Sequence, residues 1–382
     1  MMFQEKGQLR IPGPTPVPGR ALRAMAKPMV NHRGPEFRDL LKGLTDRVKR
    51  VFKTQNDVIF LTASGTGAME ACVSNILSPQ DKVVVTVAGY FGERFAKICE
   101  GYGAQVIRVK SEPGRPVEPS SIEERLASSP GVKAVFVTHN ETSTGVQNDL
   151  EGISRVARGH GALVVVDAVS SLGAVRLETD EWGLDVVATA SQKALMVPPG
   201  LSVVSVSQRA WEAIRSSRAP RFYFDLEKAK ASLEKGETPF TPAISIFYAL
   251  DETLGMIEQE GLENIFLRHE RVTRMLRRGV RALGLELLAE DHCASKTVTA
   301  VRAPAGIDAD ALRRLANRQY GVVMAGGQGE LSGKIFRIGH MGYVDFMDVI
   351  GVVAVLELCL SQMGYPVKLG AGVAACEEVL LS

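Results

Sequence analysis

Lys193 is the residue of this sequence whose setting most clearly indicates chemistry. It follows the strand-like apolar run 186–190 and precedes Ala-Leu-Met-Val, with no charged neighbour. Most lysines are solvated surface groups, and that is the ordinary alternative here. A lysine removed from water instead has a lowered pKa, so its neutral amine can attack a carbonyl carbon and form an imine.

Asp167 closes a second apolar run, the four residues 163–166. A carboxylate at such a position is costly to bury unless a partner compensates its charge. A protonated ring nitrogen of a bound molecule is one such partner. A helix N-terminus and a Mg²⁺ ion are the alternatives.

The segment Ala63-Ser64-Gly65-Thr66-Gly67 lies between a predicted strand and a predicted helix. Small residues at a helix N-terminus let backbone N–H groups approach an anion, and a phosphate suits them. The alternative is an ordinary strand-to-helix turn with a Ser or Thr cap.

Arg337 lies in the strand-like segment Lys334-Ile335-Phe336-Arg337-Ile338-Gly339. An arginine among strand-forming apolar residues pairs with a carboxylate through two parallel hydrogen bonds, either of a substrate or of a structural ion pair. An imine-forming lysine, an acid, a phosphate-binding turn and this arginine together are the parts that pyridoxal phosphate requires.

The elements that must position these residues alternate along the chain. Helical patterns over residues 66–76 and 150–159 separate near-continuous Val/Ile/Leu runs, which indicate strands buried on both faces of a mostly parallel sheet. The predicted strands are 58–61, 83–87, 106–109, 134–138, 163–167, 186–190 and 202–206. The fold class is therefore α/β.

The chain of 382 residues is long enough for two domains. Proline-rich residues 1–20 are interpreted as an extended arm, residues 21–255 as a large cofactor-binding domain, and residues 256–382 as a smaller α+β C-terminal domain. One long helical pattern covers 248–283, strand candidates follow at 297–301, 322–325 and 335–338, and the segment after Gly364 fits no clear element.

The composition excludes several classes of protein. A net charge of +2 without a basic run gives no reason to expect nucleic acid, and no apolar stretch is long enough for a membrane span. The N-terminus lacks a hydrophobic signal segment. The five cysteines are dispersed without a C-x-x-C pair, which argues against a zinc site and fits a reducing cytoplasm.

The sequence resembles the class V aminotransferases that depend on pyridoxal 5′-phosphate, in the alanine–glyoxylate and serine–pyruvate or serine–glyoxylate branch. The resemblance covers nearly the whole chain up to about Gly364, and its Ser191-Gln192-Lys193-Ala194-Leu195 block is the most specific part. The other matching blocks are residues 12–16, 64–70, 138–145, 166–171, 241–245 and 336–339.

The resemblance implies fold-type I of the pyridoxal enzymes and a homodimer with shared active sites. By this analogy Lys193 carries the cofactor as a Schiff base, and Asp167 pairs with the pyridine nitrogen. Phe91, where relatives often have Trp, would stack on the ring, and Thr142 would hydrogen-bond the ring hydroxyl.

The remaining implied contacts concern the cofactor phosphate and the substrate. The substrate α-carboxylate would bind Arg337, with the backbone near Gly13 closing over it. Thr66 stands where some relatives have His. The implied phosphate ligands are Ser64, Gly65, Thr66, Gln192 and, from the partner subunit, Thr241.

The implied reaction is a ping-pong transamination from alanine or serine to glyoxylate or pyruvate. Another pyridoxal enzyme of this fold, a lyase or a cysteine desulfurase using Cys293, is an alternative, as is a non-catalytic accessory subunit. A nicotinamide-dependent oxidoreductase is disfavoured, because Glu70 replaces the third glycine of the dinucleotide fingerprint. Arg33 supplies either a second anion contact or a surface ion pair.

Overall fold

The computed structural model describes residues 7–382, so the first six residues of the predicted arm lie outside the described part. The strands of residues 7–382 follow the apolar runs of the sequence. They are β1 (Gln8–Arg10), β2 (Asp57–Leu61), β3 (Lys82–Val87), β4 (Gln105–Lys110), β5 (Val132–Thr138), β6 (Asn140–Glu141), β7 (Val146–Gln147), β8 (Leu163–Asp167), β9 (Val186–Ala190), β10 (Ser202–Val206), β11 (Val298–Arg302), β12 (Val322–Gly326) and β13 (Ile335–Gly339).

The helices occupy most of the segments between these strands. They are α1 (Gly19–Ala24), α2 (Pro35–Phe52), α3 (Gly65–Ile76), α4 (Tyr90–Gly101), α5 (Pro119–Ser128), α6 (Leu150–Gly159), α7 (Gln208–Ser216), α8 (Leu226–Leu233), α9 (Ile244–Glu260), α10 (Leu262–Ala282), α11 (Ala309–Tyr320), α12 (Phe346–Gln362) and α13 (Ala371–Leu381). Within residues 7–382, none of them combines the length and apolar character needed to cross a membrane.

The larger sheet has the strand order β2-β10-β9-β8-β5-β3-β4. Strand β10 is antiparallel to both of its neighbours, and the remaining pairs are parallel. In this register Thr138 lies beside Asp167, and Asp167 beside Ala188. The predicted α/β fold with a mostly parallel sheet is confirmed, and the carboxyl ends of β5, β8 and β9 meet at one edge.

Both faces of this sheet are buried, which explains the continuous apolar runs. Alternate residues face opposite sides of a strand, so Val164 packs in the cluster that includes Phe37 of α2. Its neighbour Val165 packs in the cluster that includes Met69 of α3 and Phe95 of α4. The sheet is therefore a rigid, dry base for the loops at its carboxyl edge.

The smaller sheet has the strand order β1-β12-β13-β11. Its edge strand β1 comes from the N-terminal arm and pairs in parallel with β12, where Gln8 lies opposite Val322. The extended arm is thus part of a sheet made otherwise from C-terminal residues. The predicted boundary at residue 255 falls within α9 (Ile244–Glu260) and stays a prediction.

The single long helix predicted over residues 248–283 is wrong. Two helices, α9 and α10, meet at Gly261, whose φ of 80° lies in the left-handed region and interrupts the helical hydrogen bonding. Periodicity did not reveal the break, because each helix buries an apolar face and the two patterns run together.

The C-terminal segment that fits no clear element in the sequence forms α13 against α10 and α12. A buried carboxylate of α12 fixes the start of this helix. Glu357 Oε2 accepts a 2.7 Å hydrogen bond from Gly370 N, and Oε1 accepts from Gly372 N at 2.7 Å and Val373 N at 3.1 Å. An acid at a helix N-terminus satisfies otherwise unpaired donors.

We expect Glu357→Gln to lower the free energy of unfolding by about 2 kcal/mol, because the amide keeps one acceptor oxygen and leaves a buried N–H group without a partner. Urea unfolding followed by circular dichroism measures the change. Glu377→Gln, at an exposed position of α13, is the matched control. Equal stability of the two variants would contradict this role.

Candidate active site

One cavity lies at the carboxyl edge of the larger sheet, where five loops meet. Ser64 follows β2, Phe91 follows β3, Thr142 follows the short strand β6 in the connection after β5, Asp167 ends β8 and Lys193 follows β9. All five line the same cavity. The sheet thus brings together residues that are far apart in sequence, as expected for ligand sites of open α/β sheets.

The N-terminus of α3 forms one end of this cavity. Ser64 is the N-cap residue, but its hydroxyl makes no capping hydrogen bond, and the first N–H groups of a helix have no partner inside the helix. A Cβ atom on Gly65 would lie 2.9 Å from Val169 Cγ2, so a larger residue would force the surrounding atoms to shift. These unpaired donors and the helix dipole suit an anion such as phosphate.

Asp167 is a buried carboxylate without a cationic partner. Its Oδ1 accepts a 2.9 Å hydrogen bond from Val169 N, and within residues 7–382 no nitrogen of a basic side chain lies within 4.0 Å of it. Burial raises the pKa of Asp167 to about 6. A protonated ring nitrogen of a ligand would supply the missing positive charge.

Lys193 is enclosed by the N-terminal arm. Its Nζ donates a hydrogen bond to the Pro12 carbonyl oxygen, and Thr15 Oγ1 donates to the Lys193 carbonyl oxygen at 2.9 Å. Desolvation lowers the pKa of Lys193 to about 8, although the negative charge of Asp167 acts in the opposite direction. About a tenth of the amine is therefore neutral at pH 7, far more than for an ordinary lysine, and this neutral form is the nucleophile.

Gly13 lies directly against the Lys193 side chain. Its φ of 123° belongs to the left-handed region, and a Cβ atom would lie 2.5 Å from Lys193 Nζ. Only glycine leaves room for the amine at this position. The family resemblance implies that the backbone near Gly13 closes over the substrate carboxylate, and in the structure Gly13 lies against the Lys193 side chain.

Glu141 joins the loops that carry Phe91 and Thr142. The carboxylate is fully buried. Its Oε2 accepts hydrogen bonds of 3.0 Å from both Phe91 N and Gly92 N, and its Oε1 accepts from Ser143 Oγ at 2.6 Å. The N-terminus of α4, and with it Phe91, is held against the loop after β5.

Arg337 approaches the cavity from β13 but does not line it. Its Nη1 donates to the Thr142 carbonyl oxygen at 3.0 Å, and its Nε donates to the Gly326 carbonyl oxygen at 2.8 Å. Within residues 7–382 no carboxylate oxygen lies within 4.0 Å of this buried guanidinium. Burial lowers the pKa of Arg337 to about 10. The side chain is a cation that lacks a carboxylate.

Three further residues named from the sequence differ in their placement. Gln192 lines the cavity, and its Oε1 is buried without a hydrogen-bond partner among the described residues. Thr241 is exposed and does not line the cavity of its own chain. Arg33 is exposed, and its Nε lies 3.9 Å from Glu237 Oε2, which matches the surface ion pair.

Five residues of the cavity wall were not predicted from the sequence as site residues: Met69, Arg94, Asn140, Val169 and Ser170. Arg94 lies three residues after Phe91 on α4 and so shares its face, but an arginine on an amphipathic helix gives no distinctive local signal. Val169 had a weak signal, since it follows Asp167 by two residues. The Asn140–Ser170 hydrogen bond of 2.8 Å joins loops whose contact no local pattern reveals.

Comparison with known proteins decides the family. Residues 20–340 match the sequence profile of the family described as Aminotransferase class-V. The chain belongs to the class V aminotransferases. The family that the sequence motifs indicate is thereby confirmed.

Similar proteins extend over almost the whole of this aminotransferase. It is 48% identical to the soluble hydrogenase, small subunit, of Synechococcus sp. (strain PCC 6716), covering 99% of each chain. It is 38% identical to the serine–glyoxylate aminotransferase of Methylorubrum extorquens, covering 98% of this chain and 96% of that one. The solved ureidoglycine–glyoxylate aminotransferase of Bacillus subtilis superposes with a TM-score of 0.93 at 31% identity, covering 98% of each chain.

The cofactor of this class V aminotransferase is pyridoxal 5′-phosphate. The described residues fit that molecule. Asp167 lacks a cationic partner, the N-terminus of α3 has free donors, the Gln192 amide oxygen is without a partner, and Lys193 has an amine of lowered pKa.

We expect the Lys193 amine of the cofactor-free protein to undergo half-maximal reductive methylation near pH 8, whereas an ordinary lysine requires a pH near 10.4. Asp167→Asn lowers this midpoint, because the carboxylate stabilises the ammonium form. Peptide mass spectrometry over a pH series measures both, with exposed Lys97 as internal reference for the reagent. A wild-type midpoint near 10.4, or an upward shift in Asp167→Asn, would contradict the account.

Proposed function

We propose that this enzyme moves an amino group from a small amino acid, alanine or serine, to an oxo acid, glyoxylate or pyruvate, in a ping-pong cycle. One observation carries the proposal. Lys193 and Asp167, both with pKa values shifted by burial, lie in one cavity next to a cation, Arg337, that lacks a carboxylate.

The names of similar proteins support glyoxylate as the acceptor. Glyoxylate appears in the names of both the Methylorubrum and the Bacillus proteins, whose amino donors differ. A small neutral donor fits a site in which Arg337 is the cation held beside the loop of Thr142. Serine or alanine requires one carboxylate contact and no second charge partner.

Lys193 and Asp167 perform the proton chemistry in this proposal. When bound, pyridoxal phosphate accepts electron density from the substrate Cα–H bond. The Lys193 amine takes the proton from the substrate Cα and returns it at the cofactor carbon that had carried the aldehyde. Asp167 keeps the ring nitrogen protonated, because a buried carboxylate stabilises a nearby positive charge.

The other residues bind and orient. Phe91 stacks on the ring, Thr142 hydrogen-bonds its hydroxyl, and Arg337 holds the substrate α-carboxylate. Gly13 leaves space for the Lys193 amine beneath the arm. The phosphate ligands in this proposal are Ser64, Gly65, Thr66, Gln192 and Thr241 of the partner subunit.

The proposed phosphate contact by Thr241 of the partner subunit implies a homodimer. Within its own chain Thr241 is exposed and does not line the cavity, so it is free to reach a partner's site. The residues next to it support a covered surface. Tyr223 stacks on Phe240 with ring centroids 4.9 Å apart, and Phe222 beside them is 75% exposed. An exposed aromatic cluster of this kind marks an interface.

Two alternative functions receive different support. A cysteine desulfurase needs an accessible thiolate, but Cys293 is buried, and burial raises the pKa of its thiol. A role as an accessory subunit is favoured by one observation, the similarity to the soluble hydrogenase small subunit of Synechococcus. The lysine, acid and arginine retained here argue for catalysis, and a half-reaction assay separates the two roles.

The half-reaction assay follows the absorbance of the bound aldehyde form of the cofactor. We expect serine or alanine to bleach it and glyoxylate or pyruvate to restore it, because one carboxylate contact suffices for each. An accessory subunit would show the absorbance without bleaching by any amino acid.

Lys193→Ala is the decisive variant in that assay. Its single-turnover rate should fall by at least about 10³-fold, because the proton carrier is lost. Lys97→Ala, at an exposed position of α4, should retain the wild-type rate. Undiminished transamination by Lys193→Ala would contradict the role of Lys193 as the proton carrier.

We expect Phe222→Asp to weaken the dimer by at least about tenfold, because a charge would be buried at an apolar contact. Sedimentation velocity over a concentration series measures it. Leu381→Asp, at a position 90% exposed on α13, is the control for an added surface charge. If the Phe222→Asp protein associates like the control, the aromatic cluster is not part of the dimer interface.

A further inference from the structure

Arg94 is a charged residue of the cavity to which the proposed roles give no task. It lies on α4 with its guanidinium 4.8 Å from the centroid of the Phe91 ring. Its Nη1 donates a 3.1 Å hydrogen bond to Thr66 Oγ1. The guanidinium is therefore held at the end of the cavity where α3 begins.

Arg94 has no carboxylate partner in the part of the chain from residue 7 onward, where no acidic oxygen lies within 4.0 Å of it. The acid beside it in sequence, Glu93, pairs instead with Arg108 Nη2 at 3.0 Å. A guanidinium on a cavity wall without such a partner is a binding group for an anion, since it presents several N–H donors in a fixed plane.

The other groups at this end of the cavity are neutral. The N–H groups of Gly65 and Thr66, the Ser64 hydroxyl and the Gln192 amide can donate hydrogen bonds but carry no full charge. The terminus of α3 adds about half a positive charge. A phosphate monoester carries about 1.5 to 2 negative charges at neutral pH. Neutral donors alone would leave most of that charge uncompensated.

We propose that Arg94 is the charge partner of the cofactor phosphate, and that the Thr66 hydroxyl holds its guanidinium in place. The inference rests on the proposed position of the phosphate at the N-terminus of α3. A competing use of Arg94, binding the second carboxylate of a dicarboxylic amino acid, leads to a different experimental result.

The test compares pyridoxal phosphate with pyridoxal, which lacks the phosphate, on the full chain freed of cofactor. We expect Arg94→Met to raise the dissociation constant for pyridoxal phosphate about 10- to 100-fold, the effect of losing a charged hydrogen bond. Its affinity for pyridoxal should change less than about twofold. Arg94→Lys should give an intermediate, phosphate-specific loss. Lys97→Met, exposed on the same helix, is the matched control.

Each other result overturns the proposal in a recognisable way. Equal weakening of both ligands would make Arg94 a support of the fold or of Phe91. Unchanged binding of pyridoxal phosphate with a raised KM for aspartate would assign Arg94 to the substrate. If Arg94→Met does not fold, Arg94→Lys decides by the same two-ligand comparison.

The proposed function can fail separately. If the wild-type protein binds pyridoxal phosphate no more tightly than pyridoxal, the phosphate does not bind at the N-terminus of α3. Both proposals would then be wrong. Tight wild-type binding with transamination, but no phosphate-specific loss in Arg94→Met, would overturn the Arg94 inference alone.

Discussion

Desolvation of two ionisable groups at one edge of the larger sheet governs the chemistry of this protein. Burial pushes the pKa of Asp167 up to about 6 and that of Lys193 down to about 8. Each charge partly offsets the other, since Asp167 favours the ammonium form and Lys193 favours the carboxylate. Neither group is fully compensated by the other. A cofactor with a basic ring nitrogen can pair with the Asp167 carboxylate, and its aldehyde can react with the Lys193 amine.

The fold maintains this desolvation from two directions. The sheet beneath the site is buried on both faces, so the ends of β8 and β9 have no access to water from below. The N-terminal arm covers Lys193 from above through Pro12, Gly13 and Thr15. The same arm is anchored through β1 in the smaller sheet, which also carries Arg337. The position of the lysine and that of the arginine are therefore structurally connected.

Much of the fold could be predicted from the sequence because its strands are buried on both faces. The apolar run that ends at Asp167 and the one that precedes Lys193 each indicate a strand, with little ambiguity about its length. The break at Gly261 was missed because two amphipathic helices continue one another's pattern. The pairing of β1 with β12 joins residues at opposite ends of the chain, and no local signal reports it.

The site was predictable to the extent that each residue has an unusual local setting. Lys193 and Asp167 stand out after apolar runs. Arg94 does not, because an arginine on an amphipathic helix is ordinary, and its significance comes from the Thr66 hydroxyl and from the absence of an acidic partner among residues 7–382. Glu141 is similar, since its burial depends on loops after two different strands.

This chain is similar both to aminotransferases and to a hydrogenase subunit. The central claim is that Lys193 binds the cofactor covalently. Borohydride reduction of the protein with its cofactor, followed by peptide mapping, tests it most directly. We expect a cofactor-sized mass addition on the peptide that contains Lys193, and its loss in Lys193→Ala. A modified peptide that carries a different lysine, or no modified peptide, would contradict the account.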